Sequence, residues 1–166
     1  ESKNFLPDIV LIKLGTNDTK PQNWKDEKHF MEEYQTLIDT YRSLDSHPQV
    51  ILLTPVRCFL TEKNTISPRI IEEKVRLVVE QLAYDNGLGI INLHNLFGNQ
   101  WDQVIMPDRL HPSSIGAGAM ARKIGDYLLN AVQSKPAAIV PENATSFNFH
   151  GYQGYDFQLD GVPYKV

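Results

Sequence analysis

Apolar residues fall along this chain in two rhythms that alternate. Short runs come at Asp8 to Leu14, at Val50-Ile51-Leu52-Leu53-Thr54 and at Gly89-Ile90-Ile91-Asn92-Leu93. Each is too short for a helix and rich in β-branched residues, and Gly15 and Pro55 close the first two, so all three read as buried strands. Between the runs the spacing becomes helical. Over residues 26–43, Phe30, Tyr34, Leu37, Ile38 and Tyr41 share one face, with Asp26 placed to cap the first turn. Ser67-Pro68 opens a second helix whose inner stripe is Ile71, Val75, Val78 and Leu82, and Gly87 stops it. A last helix starts near Ser114 and turns Met120, Ile124, Tyr127, Leu128 and Ala131 inward.

Strands separated by helices of this length predict an α/β fold with a parallel sheet and right-handed crossovers. Three strands are only part of a doubly wound domain, which generally needs about five to bury both sheet faces. The remaining strands are expected upstream. After Val132 the pattern breaks. Residues 134–146 carry Pro136 and Pro141 and few periodic apolar positions, a linker composition. Beyond it Tyr155, Phe157 and Leu159 alternate with Asp156, Gln158 and Asp160, and Asp160-Gly161 is a turn signal before Val162-Pro163-Tyr164-Lys165-Val166. Residues 147–166 therefore read as a β-hairpin. It is either the opening of another domain or a ribbon that packs back on the sheet.

Composition narrows the function classes. A length of 166 residues suffices for one domain with a real core, and 42% apolar with 22% charged residues is a globular profile. A net charge of −4 without a basic cluster excludes the electrostatic footprint of a nucleic-acid binder. No apolar run approaches the roughly 20 residues that cross a bilayer. The single cysteine, Cys58, excludes an intrachain disulfide and leaves the compartment open. No spacing of His, Cys, Asp and Glu suggests a metal, and no cofactor is expected.

Two loops carry the candidate chemistry. In Asp108-Arg109-Leu110-His111-Pro112, an imidazole able to take and return a proton near neutrality stands three residues after a carboxylate. In a tight loop that spacing lets Asp108 reach the far ring N–H and fix the tautomer. Pro112 restricts His111 to extended geometry. In Gly15-Thr16-Asn17-Asp18, Asn17 lies just past the end of the first strand, where open α/β sheets bind ligands, and its amide is a candidate donor to an oxyanion. The same four residues also make good turn chemistry, with Asp18 bonding back to the loop backbone. Trp24 suits a sugar-stacking wall and buried packing equally. His29, His47, His94 and His150 have no motif company and read as surface or cap residues. Ser113 and Ser114 read as helix caps rather than nucleophiles. Gly116-Ala117-Gly118-Ala119-Met120-Ala121 matches a relaxed dinucleotide pattern, but no strand precedes it, so its small residues are expected to permit close helix packing.

The two loops resemble the third and last sequence blocks of the SGNH (GDSL-type) hydrolases. Pro7-Asp8-Ile9-Val10 leading into Leu14-Gly15-Thr16-Asn17-Asp18-Thr19-Lys20-Pro21-Gln22-Asn23-Trp24 resembles the carbohydrate O-acetylesterase branch. The resemblance spans residues 7–130. It implies a partial flavodoxin-like, three-layer fold for residues 1–133 and a serine esterase acting on acetylated carbohydrate such as sialic acid or xylan. An acyl-serine mechanism without metal or cofactor follows, with His111 as base, Asp108 as its orienter and Asn17 in the oxyanion hole. The family's Gly-Asp-Ser nucleophile block and oxyanion glycine are expected upstream, which makes this chain inactive alone. Family likeness further implies export to the periplasm or beyond the cell. The run Phe149-His150-Gly151-Tyr152 through Phe157-Gln158-Leu159-Asp160-Gly161 resembles the start of α/β-hydrolase domains fused behind such esterases. Two other expectations stand beside the esterase: a noncatalytic binding or assembly module that has lost its nucleophile, and a complementary chain completing the sheet at the edge Ile9-Val10-Leu11-Ile12.

Overall fold

The three apolar runs form three parallel strands, Ile9–Ile12 (β1), Gln49–Leu53 (β2) and Gly89–Ile91 (β3), in the spatial order β1-β2-β3. Val10 stands opposite Val50, and Leu52 opposite Ile90. The computed structural model describes residues 6–61, 66–98 and 101–133, together with the strand backbones at 145–149, 152–159 and 162–165.

Helices fill the connections as the spacing predicts. Helix Glu27–Arg42 (α1) begins where the Asp26 carboxylate accepts the His29 N–H at 2.7 Å. The second helical stretch (α2) has an opening turn Pro68–Ile70, a π-helical turn Ile71–Val75 and an α-helix Arg76–Asp85. Ser67 caps it by accepting the Ile70 N–H at 3.2 Å. The π turn is not foreseen by the apolar spacing. Ile71 and Val75 stand four apart, which in an α-helix means a shared face, yet they pack into different clusters. Widening the turn rotates one against the other and lets each be fully buried. A short helix Trp101–Val104 (α3) and a long one Ser114–Gln133 (α4) follow β3.

The period-two alternation of the strands divides the core between the two sheet faces. Ile12, Val50 and Leu52 face Phe30, Tyr34 and Ile38 of α1 and Val78 and Leu82 of α2. Ile51, Leu53 and Ile91 face the other way, against Met120, Ile124, Tyr127 and Leu128 of α4. Helices thus cover both faces of a parallel sheet in three layers. β1 departs from the expectation of a buried strand. Ile9 and Leu11 are 40% and 41% exposed, because the cluster under α4 includes no residue of β1 among the described residues. Only the Val10–Ile12 face of that strand is packed.

Two glycines fix how the chain leaves these elements. Gly15 has φ +110°, and a Cβ there would run into Val75 Cγ1 and the Phe30 ring, so β1 can end this close to the core only at glycine. A Cβ at Gly116 would meet the Val104 carbonyl, so the first turn of α4 lies directly on the end of α3. The small-residue reading of that segment therefore holds at Gly116. Strands Thr145–Phe149 (β4), Tyr152–Leu159 (β5) and Val162–Lys165 (β6) pair antiparallel in sequence order. Most of the expected linker and the Asp160-Gly161 turn lie outside the described residues.

Candidate active site

Because the sheet is parallel, the loops after β1 and β2 leave it at the same edge. The loop after β1 is a short 3-10 turn over Asn17–Thr19. Side chains outside the expected set tie it together. The Thr19 hydroxyl donates to the Thr16 carbonyl at 2.9 Å, and Asn23 Nδ2 donates to the Asn17 carbonyl at 2.9 Å. These bonds, rather than the expected one from Asp18, are those recorded among the described residues. Thr19 is buried and its Oγ1 also accepts the Ser67 N–H at 3.0 Å, which joins this loop to the one after β2. Asn17 itself is exposed, with its side-chain amide free of hydrogen bonds among the described residues. Trp24 packs against Phe30 with ring centroids 5.8 Å apart. It also lines a cleft of about 460 Å³ with Pro21, Leu60, Ile66, Pro68 and Ile70.

The Asp108–His111 loop is closed at its base by a bridge between Ile105 and Pro112, with the Met106 N–H donating to the His111 carbonyl at 2.7 Å. The Arg109 N–H donates to the Met106 carbonyl at 2.9 Å. Arg109 adopts φ +60°, a left-handed conformation that costs a residue with a Cβ about 1 kcal/mol. This turn aims two successive amides back at the carboxylate. Asp108 Oδ1 accepts the N–H groups of Leu110 and His111, both at 3.0 Å. Its Oδ2 lies 2.6 Å from His111 Nδ1. The His111 amide, then its imidazole, then the Leu110 amide hold the Asp108 carboxyl down at about 2. A carboxylate so held accepts only, so Nδ1 carries a proton, and in the neutral ring Nε2 is then the acceptor nitrogen. The pair is open to solvent: the His111 side chain is 68% exposed. Ser113 caps α4, its Oγ accepting the Gly116 N–H at 3.2 Å and its own N–H donating to the Val104 carbonyl at 2.8 Å. This is the capping role expected of it.

The segment between β2 and α2 reaches both candidate loops. Ser67 at its end donates to Thr19, and the Phe59 N–H in its middle donates to the Arg109 carbonyl at 3.0 Å. Leu60 and Leu110 pack on the same small cluster of Cys58, Ile66 and Ile71. Asn17 and His111 are therefore connected through this segment, not by direct contact among the described hydrogen bonds. Sequence reasoning missed the segment because its polar residues follow no periodicity. His94 is a correction. It is 3% exposed rather than a surface residue, with Nδ1 3.2 Å from the Pro55 carbonyl and Nε2 without a hydrogen bond among the described residues, the Glu72 carboxylate standing 4.0 Å away. Burial, above all, pushes its pKa down, so the ring is neutral and donates from Nδ1. The Thr54 hydroxyl accepts the N–H groups of Leu93 and His94, at 2.9 and 3.0 Å, and pins this corner to β2.

The chain is similar to proteins of one known family. The sequence profile of the GDSL-like Lipase/Acylhydrolase family matches residues 1–119. An acetylxylan esterase from Xylanibacter ruminicola is 33% identical over 137 residues, a match that covers 72% of this chain and 28% of that protein. Among solved structures, a lipase/acylhydrolase from Enterococcus faecalis superposes with a TM-score of 0.65 at 25% identity, over 79% of this chain and 66% of its own. A carbohydrate esterase family 3 protein from Talaromyces cellulolyticus shares the fold with a TM-score of 0.62 at 21% identity, over 81% of this chain and 63% of its own. The chain thus spans little more than a quarter of the acetylxylan esterase and just under two thirds of each of these two structures.

Proposed function

The chain belongs to the GDSL-like Lipase/Acylhydrolase family, and from that premise we propose that it carries the acid–base half of a serine esterase that removes acetyl groups from carbohydrate, xylan first. The observation that carries this reading is the Asp108–His111 pair, a carboxylate 2.6 Å from Nδ1 of an imidazole whose other face is open to solvent. In the proposed reaction a serine hydroxyl gives its proton to His111 Nε2 as its oxygen attacks the ester carbonyl. The imidazolium then returns that proton to the departing sugar hydroxyl, and water repeats the cycle on the acyl-serine. Asp108 holds the ring in position throughout. Asn17 donates its amide to the oxyanion, a contribution of about 3 kcal/mol at this type of site.

The serine comes, on this reading, from sequence other than these 166 residues. The open face of β1, with Ile9 and Leu11 exposed, supports a further segment or a complementary chain seated there. Residues 1–133 then form part of the esterase domain.

Hydrolysis of p-nitrophenyl acetate tests the proposal. This chain, a longer chain that includes upstream sequence, and the longer chain with His111→Ala are compared. Activity confined to the longer chain, and reduced about 10²- to 10⁴-fold by His111→Ala, is expected. Release of acetate from acetylated xylooligosaccharides by the same longer chain tests the substrate class. Serine-dependent hydrolysis by the 166-residue chain, or silence of every chain on both substrates, counts against the reading and favours a noncatalytic module.

A further inference from the structure

We propose that Arg109 is a positioning residue for the Asp108–His111 pair. It acts through a ladder of planar groups that clamps the catalytic loop to the segment after β2. The inference rests on the reading of that pair as acid–base machinery, but the clamp is a claim about geometry and is tested as one.

The pair's exposure raises the question. A carboxylate and an imidazole this open to water have no packed walls of their own to hold one rotamer. Their geometry depends on the backbone between them, and Arg109 is the pivot of that backbone. Its left-handed φ brings the Leu110 and His111 amides onto one carboxylate oxygen. Glycine would adopt that φ without strain. An arginine there needs a compensating attachment, and the structure supplies two. The Arg109 carbonyl accepts the Phe59 N–H at 3.0 Å, and its guanidinium carbon lies 5.6 Å from the centroid of the Trp101 ring.

That ring is itself held from the distant segment. Trp101 stacks on Phe59 with centroids 5.0 Å apart and planes 17° from parallel, and the Arg57 guanidinium carbon lies 5.7 Å from the Phe59 centroid. Four planar groups, Arg57, Phe59, Trp101 and Arg109, therefore touch in series, two from the segment after β2 and two from the region of the catalytic loop. Arg57 has a carboxylate partner in Glu72 at 3.7 Å. Among the described residues Arg109 has none, so the electron-rich indole face is its counterpart. Phe59 contributes twice, by its ring and by its amide, and both contacts end on the Arg109 side of the loop.

The variants separate the backbone from the clamp. Arg109→Gly keeps the left-handed turn and removes the guanidinium, whereas Arg109→Ala removes both advantages. Trp101→Phe keeps an aromatic face, and Trp101→Leu does not. On the full chain, the ¹⁵N shifts of the His111 ring report its tautomer, and exchange of the Leu110 and His111 amides reports their bonds to Asp108. Expected is a fixed Nδ1–H tautomer in the parent and in Trp101→Phe. In Arg109→Gly the ring shifts move toward the free tautomer mixture and the two amides exchange about tenfold faster, at an unchanged melting temperature. Arg109→Gly is an exposed substitution, so the test survives even if Trp101→Leu fails to fold. Parent-like ring shifts and amide exchange in Arg109→Gly overturn the proposal. The esterase reading fails separately: an inactive longer chain with the predicted response in Arg109→Gly leaves the clamp standing, and an active one with no response removes the clamp alone.

Discussion

The loop that holds Asn17 and the loop that holds His111 are stiffened in opposite ways. In the first, partly buried bonds fix the backbone: Thr19 ties it to Thr16 and Ser67, and Gly15 seats it on Val75. The Asn17 side chain is left unattached. In the second, the functional side chains are attached to each other, with the His111 amide and ring both bonded to Asp108. The difference matches the parts the two residues are proposed to play. A general base must hold one tautomer before substrate arrives. A donor to an oxyanion needs its partner only when charge develops, and the loop need only keep it within reach.

The comparison breaks most readily at the glycine under each loop. Gly15→Ala forces a side chain into both a left-handed φ and the Val75 methyl, so a loss of about 3 kcal/mol is expected, read by urea denaturation. Gly116→Ala drives a Cβ into the Val104 carbonyl and against Pro112 Cβ and is expected to cost about 1–3 kcal/mol. It should also speed amide exchange at Ser113, whose N–H shares that carbonyl. Equal losses at the two glycines would mean that the first loop is no more deeply seated than the second.

These attachments also mark where the sequence was readable. The strands and helices were, because burial imposes a period of two or of 3.6 that survives without the structure. Asp108 and His111 were, because three residues of spacing confine the geometry to one loop. Thr19, Phe59 and Trp101 were not. Their importance lies in contacts with residues far away in sequence (Ser67 for Thr19, Arg109 for Phe59), and neither periodicity nor turn chemistry encodes such a partner. His94 failed for the same reason: a histidine between an apolar run and a turn looks like any cap until Thr54 and Pro55 are found above it. The open face of β1 was hidden by composition, since a strand buried on one face and a strand buried on both can carry the same residues.

Swapping the polar anchors sharpens the contrast between fold and chemistry. Thr19→Val removes a buried hydroxyl and strands the Ser67 N–H, a loss of about 1–3 kcal/mol in chemical denaturation. Thr19→Ser should recover most of it. Neither change touches the Asp108–His111 pair, so the His111 ring shifts should stay as in the parent. Asp108→Asn should do the reverse, with little effect on melting because the site is exposed, but with loss of the ordered Nδ1–H tautomer. In a longer, active chain it should lower kcat/KM by about 10⁴-fold.

The smallest expected effect is on acid stability, and its sign follows from the Asp108 carboxyl standing at about 2 in the folded chain against an ordinary value of 3.8. A group whose folded pKa is depressed favours the folded state while it is ionised. That contribution is complete above the ordinary value and fades as pH falls from there to about 2. In the wild-type chain a ¹³C titration of the Asp108 carboxyl should place its midpoint near 2. The difference in melting temperature between wild type and Asp108→Asn should then shrink across that window and nowhere above it. A midpoint at the ordinary carboxylate value would mean that the amides of Leu110 and His111 do not close on Oδ1 in solution. The second loop would then be no better ordered than the first, and the contrast between a fixed base and a waiting donor would disappear.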